Sequence, residues 1–79
     1  MDAQTIFEAI RRNVRAVVPE VEAEQIAPDC TLSDLGLNSL DRTEVIILTM
    51  AELAISVPVH EFHRGDKIAA LVEVMRRHS

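Results

Sequence analysis

The sequence predicts an all-α fold, a four-helix bundle with a long loop between the first two helices and a short third helix. Three observations point there. The composition is 48% hydrophobic yet holds only two aromatics, Phe7 and Phe62, so the core must be aliphatic. That supply of Ile, Val, Leu and Ala suits a compact bundle and is poor in the aromatic and Thr-rich runs of a sheet. Apolar residues recur at helical spacing near both ends of the chain. Pro19, Pro28 and Pro58 fall between the periodic stretches, where they separate elements,.

The first helix is marked by Ile6, Ile10, Val14, Val17 and Val18, which fall on one stripe, with Arg11, Arg12 and Arg15 on other faces,. Pro19 ends it, because proline lacks the amide donor and clashes with the preceding turn. A connection then runs from about residue 19 to residue 38. It is long for a structureless loop, so Ile26, Leu32, Leu35 and Leu37 are expected to pin it across the bundle,. A turn of helix is expected at "LSDLG", where Gly36 permits a tight turn,.

The second helix is expected to start at Asn38 or Ser39. Asn38 and Asp41 have the spacing of a capping box with a shortened acid, and an acid suits the positive helix end,. Leu40, Val45, Ile46, Ile47, Leu48, Met50 and Leu53 make this helix apolar on more than one face. The excess over a single core stripe suggests an exposed docking surface,. Val57 and Pro58 mark the next boundary, and a short helix or turn is expected at about 59–63. The last helix is placed from about Asp66, as its cap, to Arg77, with Ile68, Leu71, Val72 and Met75 turned inward,.

Size and charge narrow the function classes. The 79 residues make a single domain over 1–79, near the lower limit for burying a core unaided,. No basic-then-apolar leader and no apolar run of roughly 18 residues is present, which makes a cytoplasmic location the expectation. One cysteine, Cys30, forms no internal disulfide and reads as a small, partly buried apolar residue,. The net charge is −5, and Arg42 is the one base among eight acids between Glu20 and Glu52. An acidic middle disfavours nucleic acid and suits basic protein partners.

Three constellations carry weaker chemical readings. His60, Glu61 and His63 have metal-ligand residue types but no further convergent ligand, so a solvated surface is the better reading. Asp41 and Glu44 lie three apart on one helix with no cleft implied, which favours partner contact over acid–base work. Arg11, Arg12 and Arg15 lack the interleaved aromatics of an RNA-binding face. No catalytic residue and no metal is therefore expected.

With "LSDLGLNSLDRTEV" leading into the second helix and "ISVP" ahead of the third, the chain resembles an acyl carrier protein of the phosphopantetheine-binding family. The family signature, Asp-Ser-Leu at the start of the second helix, matches Asn38, Ser39 and Leu40. The likeness runs across essentially the whole chain, including the distance from Ser39 to Pro58. It implies that Ser39 carries a covalent 4′-phosphopantetheine arm through a phosphodiester, and that the protein is a group carrier, not an enzyme. A helix N-terminus suits the attached phosphate. Asn38 departs from the family's acid, which keeps the capping oxygen while removing a charge.

A narrower likeness rests on Arg42, Thr49 with Met50, and "HEF" at His60 to Phe62. Here the chain resembles the discrete donor carriers of polyketide β-branching cassettes. The implied cargo is an acetyl thioester made by decarboxylating a malonyl group. A hydroxymethylglutaryl-CoA-synthase-like enzyme uses that acetyl to alkylate a β-ketone held on another carrier. Expected partners are a phosphopantetheinyl transferase, an acyltransferase, a decarboxylating ketosynthase-like enzyme and that synthase, acting on a monomeric carrier. The partner surface is expected at Leu37, Leu40, Asp41, Arg42, Glu44, Val45 and Met50. Two alternatives stand beside this one: a general discrete carrier of fatty-acid, polyketide or nonribosomal peptide synthesis, and a non-carrying interaction domain in which Ser39 only caps a helix.

Overall fold

The computed structural model describes all residues 1–79 and contains three α-helices and no β-strand: α1 (Ala3–Val17), α2 (Ser39–Leu53) and α3 (Ile68–Arg77). Single 3₁₀ turns lie at Ala23–Gln25, Ser33–Leu35 and Val59–Glu61. The short helix or turn expected at about 59–63 is the last of these, a single 3₁₀ turn, so the α-helices number three, with an ordered strap between the first two. Five residues separate Leu53 from Val59, and Pro58 sets the start of the turn with its fixed φ,. No helix is long and apolar enough to cross a membrane.

The first helix begins where Asp2 accepts a hydrogen bond from the Thr5 amide at 2.8 Å, a cap that the apolar pattern alone did not reveal,. It stops at Val17, ahead of Pro19. Ile6, Ala9, Ile10 and Val14 are its buried stripe. This helix packs on both α2 and α3, and the core lies among the three.

The long connection is pinned as its apolar residues require. Ile26, Leu32 and Leu37 are buried, as is Val21, and Leu35 packs against them in part. Gly36 sits at φ +89°, the left-handed conformation that closes the Ser33–Leu35 turn,. Cys30 is half-buried, with its thiol 3.1 Å from the Ala27 carbonyl.

At α3 the structure corrects the expected cap. Asp66 does not cap the helix; its Oδ2 accepts from the His63 amide at 2.9 Å and closes the preceding turn instead. The first amides of α3 are satisfied by backbone from the strap: Ile68 N–H donates to the Cys30 carbonyl and Ala69 N–H to the Pro28 carbonyl, each at 2.8 Å. With those orphan donors taken, no side-chain cap is needed. The same contact ties the strap to the far end of the chain through the Thr31–Lys67 bridge.

Candidate functional site

Ser39 is the first helical residue of α2, and Asn38 is its cap. The Asn38 Oδ1 accepts from the Asp41 amide at 2.9 Å, and an Asp41 carboxylate oxygen accepts from the Asn38 amide at 3.3 Å. This is the reciprocal box expected from the spacing. It leaves Ser39 free of capping work, with its side chain on the exposed surface. The amides of Ser39 and Leu40 have no protein acceptor, which is the normal state of the first helical turn,. Two N–H donors and the positive end of the helix therefore surround the Ser39 hydroxyl.

Arg42 lies one turn further on and folds back over this end. Its Nη1 donates to the Leu37 carbonyl at 3.1 Å and to Ser33 Oγ at 3.0 Å; its Nη2 lies 3.3 Å from Ser39 Oγ. The sequence reading placed Arg42 among the partner-facing charges. The structure shows it joining the strap, the cap segment and the serine.

A cleft of about 340 Å³ opens beside Ser39, between α2 and the segment that leads into α3. Ile46, Ile47, Met50, Val59, Phe62, Leu71 and Leu32 give it apolar walls, and Ser39, Arg42, Thr43, His63, Arg64 and Asp66 supply the polar lining. His63, Arg64 and Asp66 enter from the far side of the sequence, so no local motif could have placed them here.

The expected partner surface divides on burial. Leu40 is 80% exposed, and Glu44 is exposed on the same helix, while Asp41 and Arg42 are half-buried. Leu37 and Val45 are corrections: both are core residues, 3% and 1% exposed, and neither offers a surface. Leu37 is drawn in as an anchor of the strap, and Val45 is on the face of α2 that meets the core. Thr49 is also fully buried, so it belongs to packing and not to a selective surface. Met50 is half-buried in the cleft wall, whereas Ile47 and Val59, absent from the expected set, are 55% and 81% exposed.

The other constellations resolve into internal contacts. Glu61 takes His78 Nε2 at 3.0 Å, and this hydrogen bond holds its carboxyl below the ordinary glutamate range. His60 and His63 stay exposed. Arg11 pairs with Glu8, Arg12 with Glu52, and Arg15 donates to the Val21 carbonyl at 3.1 Å. That basic cluster is thereby engaged by the protein itself.

Residues 8–75 match the family described as phosphopantetheine attachment site. The polyketide biosynthesis acyl-carrier-protein AcpK of Bacillus subtilis (strain 168) is 35% identical over 75 residues, which cover 95% of this chain and 92% of that protein. No solved structure gives a significant match. Proteins of this family hold covalently attached 4′-phosphopantetheine and work with a phosphopantetheinyl transferase and biosynthetic enzymes, as carriers and not as catalysts,. The match spans α2 with its exposed serine, both flanking helices and the strap between them; the chain belongs to the phosphopantetheine-binding acyl carrier protein family.

Proposed function

We propose that Ser39 is the attachment residue and that the protein is an acyl carrier of polyketide biosynthesis. The observation that carries this reading is the placement of the Ser39 hydroxyl. It is exposed at the first position of α2, beside two unpartnered amides and 3.3 Å from the Arg42 guanidinium. These donors fit a phosphodiester: backbone N–H groups at a positive helix end and one cation,. The arm supplies a terminal thiol for a thioester when attached. The chain itself presents the serine, donates hydrogen bonds to the phosphate and offers a face for docking enzymes.

We further propose the donor role in β-branching, with an acetyl cargo derived from malonyl and a hydroxymethylglutaryl-CoA-synthase-like partner. An acyltransferase and a decarboxylating ketosynthase-like enzyme would load and trim the malonyl group. Support comes from the identity to a polyketide carrier and from the character of α2. Leu40, Ile47 and Leu48 are exposed apolar side chains on a helix that also carries Asp41, Glu44 and Glu52. Such a surface adds shape and desolvation to charge as grounds for selecting a partner.

The direct test is intact mass after co-expression with a phosphopantetheinyl transferase. A gain of one arm, lost in Ser39→Ala, is the expected result. A bare-chain mass under conditions that load a control carrier would favour an interaction domain without cargo. Supply of malonyl-loaded protein to the decarboxylating enzyme and the synthase then tests the cargo. Equal service to a fatty-acid condensing enzyme would leave a general carrier.

A further inference from the structure

The Arg42 side chain is arranged in a way that a partner-facing charge does not require. Its Nη1 is held by two acceptors that belong to the strap, the Leu37 carbonyl and Ser33 Oγ, at 3.1 and 3.0 Å. Those bonds fix the guanidinium plane on the protein and leave Nη2 directed at Ser39 Oγ, 3.3 Å away. A guanidinium held this way has already lost the rotamer freedom that an exposed arginine would lose on binding an anion. Ser33 and Leu37 each accept one bond and carry no charge, so the cation beside Ser39 is uncompensated by them. Arg42 forms no ion pair within the protein, and the carboxylate next to it in sequence, Asp41, accepts from the Asn38 amide.

We propose that Arg42 is a positioning residue for the arm: its guanidinium holds the phosphodiester on Ser39 and aims the arm into the cleft along α2. The proposal rests on Ser39 being the attachment residue. Esterification removes the hydroxyl proton and makes Oγ a bridging ester oxygen, a weaker acceptor than before. The negative charge then resides on the non-bridging oxygens one bond further out. Arg42 exchanges its contact with Oγ for a charge-assisted bond to one of them, joining the free amides of Ser39 and Leu40,. Because Ser39 and Arg42 both line the cleft, a phosphate held between them starts the arm at its mouth, against Ile46 and Met50. Lysine would keep the charge but could not bridge strap and phosphate with a planar fork.

Intact mass comes first, on wild type and Arg42→Gln after transferase treatment. Wild type that takes up no arm sinks the attachment reading and the clamp with it. Given loaded protein, the ³¹P resonance of the phosphodiester reads the clamp directly. At low salt the loaded wild type and loaded Arg42→Gln should differ in ³¹P shift. Rising salt should move the wild-type resonance to the variant's position, as an exposed ion pair is screened. Arg42→Lys should fall between the two. The side-chain N–H resonances of Arg42 should also shift when wild type is loaded, a measurement that needs no variant and decides the matter if Arg42→Gln does not fold. Identical ³¹P shifts at low salt, or Arg42 side-chain resonances unmoved by loading, would overturn the clamp while leaving attachment at Ser39 intact.

Discussion

Asn13 Nδ2 donates to Thr49 Oγ1 at 3.0 Å, across the interface between α1 and α2. Thr49 is the one fully buried polar side chain, and it donates in turn to the Val45 carbonyl at 2.7 Å. Asn13 has a second acceptor in Glu52 at 3.3 Å, and Glu52 also pairs with Arg12. A polar clasp thus runs from the buried hydroxyl to the surface, and it joins α2 to α1. Thr49→Val keeps the volume and removes this anchor. Chemical denaturation should show a loss of about 0.5–1.5 kcal/mol, the net worth of a typical intramolecular hydrogen bond. No change would show that the clasp sets geometry without contributing stability.

The division of labour between Asn38 and Ser39 predicts opposite outcomes for adjacent alanines. Asn38 caps α2 and Ser39 does not. Asn38→Ala should therefore cost about 0.5–2 kcal/mol of stability. Ser39→Ala should leave the melting temperature nearly unchanged while abolishing uptake of the arm. Asn38→Asp keeps the capping oxygen and should retain the fold, so any change in its loading rate reports the missing acid alone. A destabilised Ser39→Ala with a neutral Asn38→Ala would reverse the assignment of the cap.

The end of α2 holds a local strain. Ala54 adopts φ 55° and ψ 40°, left-handed backbone at a residue with a Cβ. Glycine pays no such steric penalty, which is roughly 1–2 kcal/mol for an L-residue. Ala54→Gly should raise stability by part of that amount, because glycine also gains freedom in the unfolded chain. A lower melting temperature would mean that the unfolded-state entropy outweighs the relieved strain.

Acid should loosen the join between the Val59–Glu61 turn and the C-terminal end. Folding lowers the pKa of Glu61, first through its hydrogen bond with His78. Glu73 is lowered as well, first through its bond with Arg76. A depressed carboxyl contributes stability that is present above its unfolded pKa and is lost as pH falls through the folded value. Melting temperature should thus decline below the ordinary glutamate range, and Glu61→Gln should flatten part of that decline. Both pairs are solvent-exposed, so high salt should reduce the effect. A Glu61→Gln protein with an unaltered acid profile would remove this pair from the account.

Much of this arrangement was legible in the residue pattern, and the reasons for the rest are physical. The α1 stripe, the strap anchors and the Asn38–Asp41 box are local in sequence, so spacing alone exposes them. The burial of Leu37 and Val45 was not legible, because α2 carries apolar residues around more than one face and periodicity does not say which face meets the core. The cap of α3 was hidden for a different cause: its acceptors are the carbonyls of Pro28 and Cys30, backbone groups distant in sequence that leave no side-chain signature. Arg42 read as a surface charge because its partners, Ser33 and Leu37, are neutral.

For the proposed docking surface on α2, Ile47 is a better probe than Met50. Met50 is half-buried in the cleft wall, so a charge there would disturb packing as well as docking. Ile47 is 55% exposed and stands two turns from Leu40, on the same side of the helix,. Leu40 follows Ser39 directly and is 80% exposed, which makes it the apolar anchor nearest the arm. Leu40→Ala should weaken binding to the hydroxymethylglutaryl-CoA-synthase-like partner by about 1–2 kcal/mol, a factor of roughly 5–30. Ile47→Glu should impair that partner and spare arm attachment, since it leaves Ser39, its amides and Arg42 untouched. Charge reversal at Glu44 should slow association most at low salt, because exposed charges are screened beyond about 8 Å at physiological ionic strength. Asp41 is a poorer probe, as its carboxylate also closes the capping box. Titration of loaded carrier into the synthase and into a fatty-acid condensing enzyme separates the readings. Losses confined to the synthase support the donor role; equal losses with both enzymes mark a generic carrier surface and end the β-branching assignment.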